Sequence, residues 1–387
     1  MVIDKLENVK NKLDNNLSGA LKMVRIRARG EEIRRYILEN IENHPNDISK
    51  VTAYHFKITR QAVNLHLHKL TLEKTLTTSG ATRNHSYKLA PLVEWRRTYE
   101  ITPDLSEGDV WAKDIKLVLG QQPENVTDIW QYGFTEMFNN AKDHSESPTI
   151  TVLISKTAML SEMAITDSGI GIFRKIQQAL NLVDERHAIL ELAKGKFTTD
   201  PNRHTGEGIF FTSRMFDSFD ILSGNCFFTH KIGTREDFLL EAQGGIGTYV
   251  WMNLSNHTCR TSKEIFDQYS SGEDYGFTKT VVPVKLAEYG DDKLISRSQA
   301  KRVLSRVELF QTVMLDFEGL DTIGQSFADE IFRVFQNQHP QVHLIPINMS
   351  ENVGQMVRRA LIDSQIYGLA TPGTVEPFPV KPDKQPD

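Results

Sequence analysis

The sequence predicts an α/β chain of several domains, and three observations carry that prediction. Its 387 residues are more than one hydrophobic core usually organises, so two or three domains are expected. Within the first ninety residues apolar side chains recur at intervals of three and four, the helical period, before two strand-like segments appear. From residue 277 onward strand-like and helix-like segments alternate, the pattern of a small sheet covered by helices.

Composition excludes several classes of protein. Apolar residues make up 39% and charged residues 25%, and no run approaches the roughly 18 apolar residues that cross a bilayer. Cys226 and Cys259 are too few for a disulfide framework or a four-cysteine metal site. The opening stretch MVIDKLENVKNKLD lacks the apolar core of a secretion signal, so a cytoplasmic protein that does not enter membranes is expected. The net charge of −5 is unevenly spread: residues 1–90 hold sixteen Lys or Arg against nine Asp or Glu, a local +7 that leaves −12 for the rest. A basic end on an acidic body is expected to meet a polyanion.

At the N-terminus Leu6, Val9, Leu13, Leu17, Leu21 and Val24 make residues 1–24 an amphipathic helix, able to pack on its own domain or to pair with a second copy in a homodimer. A second helix carries Ile33, Ile37 and Ile41 and stops by Pro45; a third covers NDISKVTAYHF. In ITRQAVNLHLHKL, Thr59 is a plausible N-cap, and Ala62, Val63, Leu67 and Leu70 form the inner face. His66 and His68, two residues apart on a helix, point to different faces and do not make a metal site. The strand-like KTLTTSG and HSYKLA complete residues 25–92. This segment resembles a winged helix-turn-helix domain. The resemblance makes Arg60, Gln61 and Asn64 the readers of DNA bases, with Lys57, Lys69 and Arg83 beside phosphates. A winged-helix module that binds protein instead stays open.

Residues 109–256 carry four motifs in order: EMFNNAKDH at 136–144, ITDSGIGIF at 165–173, HTGEGIFF at 204–211 and GGIGTYVWMNL at 244–254. On the first, Glu136, Asn140 and His144 fall at i, i+4 and i+8 and share one helix face, with Asp143 beside them. An Asn oxygen is a hard neutral ligand suited to Mg²⁺ that also holds substrate phosphates, and Glu136 one turn earlier could take a proton from a nucleophile. In the second motif Asp167 ends a buried strand where a ligand can meet it, and Gly169 and Gly171 leave room for a flat ring. In the third, Gly206 and Gly208 let backbone N–H groups approach an anion at a helix start. Lys194, Lys196, Arg203 and His204 are candidate cations around it.

As an ordered set the motifs resemble the ATP-binding domain shared by gyrase, the large heat-shock chaperone, histidine kinases and mismatch-repair ATPases, the GHKL fold, and come nearest to the anti-sigma serine kinases. That resemblance implies an α/β sandwich binding ATP and Mg²⁺. Asn140 would hold the metal, Asp167 would read adenine with Thr248 nearby, and the segment before Gly208 would form a lid. Hydrolysis, transfer to a protein hydroxyl, and binding that only switches conformation all stay open. A histidine kinase is disfavoured because residues 95–130 show no helical hairpin with an exposed His followed by an acid.

In residues 277–368 the order is strand KTVVPVKLAEY, helix SRSQAKRVLSRV, strand TVMLDF, helix SFADEIFRVFQNQ, strand VHLIPIN and helix ENVGQMVRRALID. The stretch VMLDFEGLDTIGQSFADEIF resembles the core of STAS domains, a fold of anti-sigma-factor antagonists. That resemblance implies a partner protein and sets Ser326 at the family's phosphoacceptor position, although the usual Asp-Ser-Ser-Gly-like turn is replaced by Gly324, Gln325, Ser326 and Phe327. Ser326 also reads as an N-cap with Asp329 three residues on. Residues 369–387 are proline-rich and expected to be a disordered tail. The whole then reads as a DNA-binding regulator with a nucleotide switch; a serine kinase and a protein-binding scaffold are the alternatives.

Overall fold

The computed structural model describes residues 29–80, 85–197, 206–232, 238–241, 245–270, 276–288 and 293–367. The expected N-terminal helix 1–24, Arg83, Arg203, His204 and the tail 369–387 lie outside these residues. Among the described residues the chain is a mixed α/β protein of two compact units. One takes the chain up to Asn181 together with 208–234 and 238–268, and the other takes Leu182–Glu207 and the residues from Tyr269 onward. No described helix is long and apolar enough to cross a membrane.

The first unit begins with three helices, α1 (29–40), α2 (Ile48–Phe56) and α3 (Arg60–Leu72). Their core is Ile33, Ile37 and Ile41 of the first helical segment against Ile48, Val63, Leu67 and Leu70, all buried. The link between α2 and α3 is three residues: Lys57 takes a left-handed conformation that ends α2, and Thr59 caps α3 by accepting a hydrogen bond from the Ala62 N–H at 3.2 Å. Next, β1 (Leu76–Ser79) and β2 (Ser86–Leu89) pair antiparallel, Leu76 opposite Leu89.

The chain continues through β3 (Val93–Glu100), α4 (Glu107–Val110), a π-helical segment (Trp111–Ile115), α5 (Lys116–Leu119), α6 (Glu124–His144), β4 (Thr149–Lys156), β5 (Leu160–Asp167) and α7 (Ile172–Leu180). It then runs α8 (Glu185–Lys194), α9 (Gly208–Met215), β6 (Ser218–Ser223), β7 (Cys226–Lys231), β8 (Phe238–Glu241), β9 (Thr248–Ser255) and α10 (Ser262–Tyr269). Strands β3 to β9 form one antiparallel sheet in the order β3-β4-β5-β9-β6-β7-β8.

Helix α6 is the spine of this unit. Its buried residues Val126, Ile129, Trp130, Gly133, Phe134, Met137, Phe138 and Ala141 follow the alternating three-and-one spacing of a single wide apolar stripe. Trp130 meets Phe216 edge to face at 4.8 Å, and Phe138 meets Tyr99 at 5.8 Å. A glycine at 133 is needed because a Cβ there would lie 2.5 Å from the Phe216 ring and 3.2 Å from the Met252 sulfur.

In the second unit β10 (Lys279–Pro283), β11 (Thr312–Asp316) and β12 (His343–Ile347) form a parallel sheet in that order. Its helices are α8, α11 (Arg297–Leu304), α12 (Gln325–Asp329) running through a π segment (Glu330–Phe335) into α13 (Gln336–Gln338), and α14 (Glu351–Tyr367). The strand expected over KTVVPVKLAEY stops at Pro283, which has no N–H to donate, and Val284–Ala287 turns into a 3-10 helix. Pro283 is tolerated because β10 is an edge strand.

Helix α8 is fastened to this unit by buried polar contacts. The fully buried Lys194 ammonium donates to Glu191 Oε1 at 2.7 Å and to the carbonyls of Arg302 and Ser305 at 2.9 Å, so it caps the C-terminal end of α11. Arg306 reaches the other Glu191 oxygen at 3.3 Å and donates to the Lys196 carbonyl, while the Thr280 hydroxyl donates to the Lys194 carbonyl at 2.7 Å. Arg302 donates to His187 Nε2 at 2.8 Å, and burial followed by the Arg302 charge lowers the His187 pKa, which keeps that nitrogen an acceptor.

Two stability outcomes follow from this packing. Gly133→Ala gains about 1 kcal/mol of helix propensity but pushes a methyl into the immobile Phe216 ring, where overpacking costs about 1–3 kcal/mol. A net loss in urea unfolding is expected, recovered when Phe216→Leu is added. Lys194→Met removes one partner of a buried ion pair and strips a donor from two carbonyls, so a loss of about 3–5 kcal/mol is expected in the same assay.

Candidate functional site

The candidate site starts where three strands of the large sheet end together. Asp167 is the last residue of β5, Thr248 the first of β9 and Ser223 the last of β6, and the register sets Thr248 opposite both of the others. Asp167 is 9% exposed; its Oδ1 accepts the Gly169 N–H at 2.9 Å, and Thr248 hydrogen-bonds to the same carboxylate. Burial pushes the Asp167 carboxyl above the ordinary aspartate range, and the hydrogen bonds from Gly169 and Thr248 pull it part of the way back. The Thr248 hydroxyl also accepts the Ile172 N–H at 3.1 Å, tying the start of α7 to the start of β9. Ser223 Oγ donates to the Gly247 carbonyl at 3.0 Å.

The glycines of the second motif allow close approach within the chain, Gly169 to backbone and Gly171 to the Ser223 side chain. A Cβ on Gly169 would lie 1.8 Å from the Ser145 carbonyl oxygen, just beyond α6, and that oxygen accepts the Ile170 N–H at 2.9 Å. On Gly171, at φ +86°, a Cβ would lie 2.6 Å from Ser223 Oγ; on Gly247, at φ +95°, 2.1 Å from the Asp167 carbonyl. Ser147 Oγ accepts the Ser168 N–H at 3.1 Å, and Lys175 donates to the His144 carbonyl at 2.6 Å. The end of α6 and the turn after β5 are thereby held together.

Glu136 lies two turns before His144 on α6. A Cβ on Gly208 would come 1.9 Å from Glu136 Oε2, so the carboxylate rests against the first residue of α9, at the helix end whose dipole favours an anion. Contacts thus link all four motifs: Glu136 to Gly208, the Ser145 carbonyl to Gly169, and Asp167 to Gly247 and Thr248. Asn140 and His144 are half-buried on α6 and Asp143 is exposed.

Of the cations expected around the third motif, Lys194 and Lys196 are engaged elsewhere. Lys194 is spent on Glu191 and the end of α11, and Lys196 donates to the Leu309 carbonyl at 2.9 Å with its ammonium 4.7 Å from the centre of the Phe310 ring. Gly206, at φ +74°, packs on the backbone of Phe197 and accepts its N–H at 3.2 Å. Ser326 is not an N-cap: helix α12 starts at Gln325 with Gly324 in the cap position, and Ser326 is exposed in its first turn. Asp329 pairs with Arg333 and Arg297 instead of reaching back to the cap. The capping box in this unit belongs to Ser296 and Gln299 at the start of α11.

On α3 the side chains of Arg60, Gln61 and Asn64 are exposed, as are Lys57 and Lys69, the latter 3.7 Å from Glu73. Sequence reasoning missed Leu65 on the same helix, which is 73% exposed. It also missed Ser145, Ser147 and Ser223, whose hydrogen bonds shape the candidate site. No local pattern marks such short polar residues; only the neighbours that folding brings to them do.

Among the described residues no group of three or more His, Cys, Asp or Glu could hold a metal ion. In comparison with known proteins, residues 299–353 match the family described as a STAS-like domain of unknown function (DUF4325). No curated protein matches the chain. The match runs from within α11 to the first turn of α14 and leaves β10 and α8 outside it, so the C-terminal part of the chain carries a STAS-like domain.

Proposed function

We propose that this chain is a DNA-binding regulator whose central domain, of GHKL type, binds ATP with Mg²⁺ and passes its nucleotide state to the STAS-like domain. The observation that carries this reading is the meeting of Asp167 and Thr248 at one end of the sheet, knitted through Gly169 to the end of the helix that bears Glu136 and Asn140. A nearly buried carboxylate beside a hydroxyl is a fitting acceptor for the exocyclic amine of adenine. Asn140 is the proposed protein ligand of a cation that arrives with phosphates, its side-chain oxygen being a hard neutral donor. Bound Mg²⁺ would offset phosphate charge. Glu136, already seated against the start of α9, is the proposed proton acceptor and would yield that position to phosphate.

Coupling to the STAS-like domain is supported by α8. In the chain it lies between Gly171 and Gly208, two residues of the proposed nucleotide site, yet it belongs to the second unit. By chain order alone, the nucleotide state at Gly208 would bear on the unit that holds Lys194 and Arg306. Exposure of Ser326 favours a second reading, a serine/threonine kinase of the anti-sigma type acting on that residue. In the winged helix-turn-helix reading of residues 25–92, α3 enters the major groove, and the five exposed side chains Lys57, Arg60, Gln61, Asn64 and Lys69 face the duplex.

Calorimetric titration with ATP tests the central claim. Asp167→Asn turns the acceptor into an amide that cannot serve in the same way, and loss of a hydrogen bond to a charged group, about 1.5–3 kcal/mol, predicts affinity weaker by about ten-fold or more. Because burial raises the Asp167 pKa, its charged form is lost on acidification at higher pH than for an ordinary aspartate. Wild-type affinity should therefore fall as the pH drops through that raised value, and the Asn variant should be flat. A wild-type profile that is also flat counts against Asp167 as the adenine acceptor. Asn140→Ala should erase the difference between titrations with Mg²⁺ and with EDTA. Products then separate the readings: free phosphate marks an ATPase, and label on the protein that disappears in Ser326→Ala marks a kinase.

A further inference from the structure

We propose that Leu65 is a base-reading residue that packs against thymine methyl groups in the major groove, which gives this protein a preference for A·T pairs. The inference rests on the reading of α3 as a DNA-recognition helix. At 3.6 residues per turn, Val63, Leu67 and Leu70 face the core, and Gln61, Leu65, His68 and Leu72 lie on the opposite side. Leu65 is 73% exposed and Leu72 is 70% exposed. Single exposed leucines are ordinary on protein surfaces, so exposure alone decides nothing. The setting of Leu65 does. It sits one turn after Gln61 and beside Asn64, two exposed amides of the kind that pair with the N6 and N7 edge of adenine. On an A·T pair that edge lies next to the thymine methyl, so an amide and an apolar side chain one turn apart match one stretch of A·T-rich groove.

Charge complementarity points to the same occupant. Residues 48–90 hold seven Lys or Arg, Lys50, Lys57, Arg60, Lys69, Lys74, Arg83 and Lys88, against one acid, Glu73. That acid is balanced by Lys69 at 3.7 Å and Arg34 at 3.9 Å. An exposed apolar side chain on a segment with six more cations than acids fits a polyanion with methyl groups in its groove better than an apolar protein surface. Leu72 lies seven residues and about 10 Å further along the helix, away from the first-turn amides, and is not part of the proposal.

The test uses the full chain and a random double-stranded DNA library. Duplexes enriched by binding are resynthesised with deoxyuridine in place of one thymidine at a time, which removes only the methyl group, and affinity is read by fluorescence anisotropy. Loss of one buried methyl predicts binding weaker by about four-fold at one or two positions. In Leu65→Ala the thymine and uracil duplexes should bind equally, with unchanged salt dependence and unchanged thermal unfolding. Equal binding of all these duplexes by the wild-type protein overturns the role of Leu65 but leaves α3 a DNA-binding helix. Failure to enrich any duplex removes the DNA reading and Leu65 with it. A change of mass by light scattering in Leu65→Ala with duplex affinity intact assigns the side chain to a protein interface, and the proposal is then wrong.

Discussion

The close approach of the turn after β5 to the end of α6 governs the central domain. Gly169 has no side chain, so the Ser145 carbonyl can accept the Ile170 N–H while the two backbones touch. Any larger residue would separate the strand that ends in Asp167 from the helix that carries Glu136 and Asn140. Around that contact, Ser147 holds Ser168, Thr248 holds Ile172, and Ser223 holds the Gly247 carbonyl. The polar groups at the ends of β5, β9 and β6 are thus satisfied locally, which fixes the Asp167 carboxylate in a nearly buried position.

A second constraint lies in the STAS-like unit. A buried ammonium is costly unless every proton finds an acceptor, and Lys194 finds three: a carboxylate and two carbonyls at the C-terminal end of α11. Glu191 is shared with Arg306, so the cluster carries two cations on one acid and fills the remainder with backbone oxygens. Such a cluster is demanding in geometry and makes α8 an integral part of the unit rather than an appendage. It also explains why the two lysines that look, in sequence, like cations for a ligand are committed to structure.

Much of the local architecture was legible in the residues. The shared face of Glu136, Asn140 and His144 marks α6, and the Thr59 cap and the Val63, Leu67 and Leu70 face mark α3, because these signals act within one or two helical turns. Strand and helix alternation after residue 277 marks the second unit, and the stretch around Ser326 marks its STAS-like character. Signals of the same range failed where a distant segment decided the outcome. Ser326 and Asp329 form a capping pattern on paper, but Gly324 donates to the Leu294 carbonyl at 2.7 Å and packs on Ile295, and the helix begins two residues early with Gly324 as its cap. The strand expected over KTVVPVKLAEY stops at Pro283 for lack of an amide proton, a local rule that the apolar run had masked.

Periodicity, caps and turn residues are written in neighbouring side chains, so the sequence by itself determined that the chain is a mixed α/β protein, that α3 and α6 are helices, and which of their side chains share a face. Tertiary structure alone decided that α8 belongs with β10 and α11, that Gly169 and Gly247 serve backbone contact, that Lys194 is an anchor, and how far Leu65 is exposed. These outcomes depend on contacts between segments distant in the chain, whose energies rest on which buried donors, acceptors and volumes meet. No window of neighbouring residues contains that information.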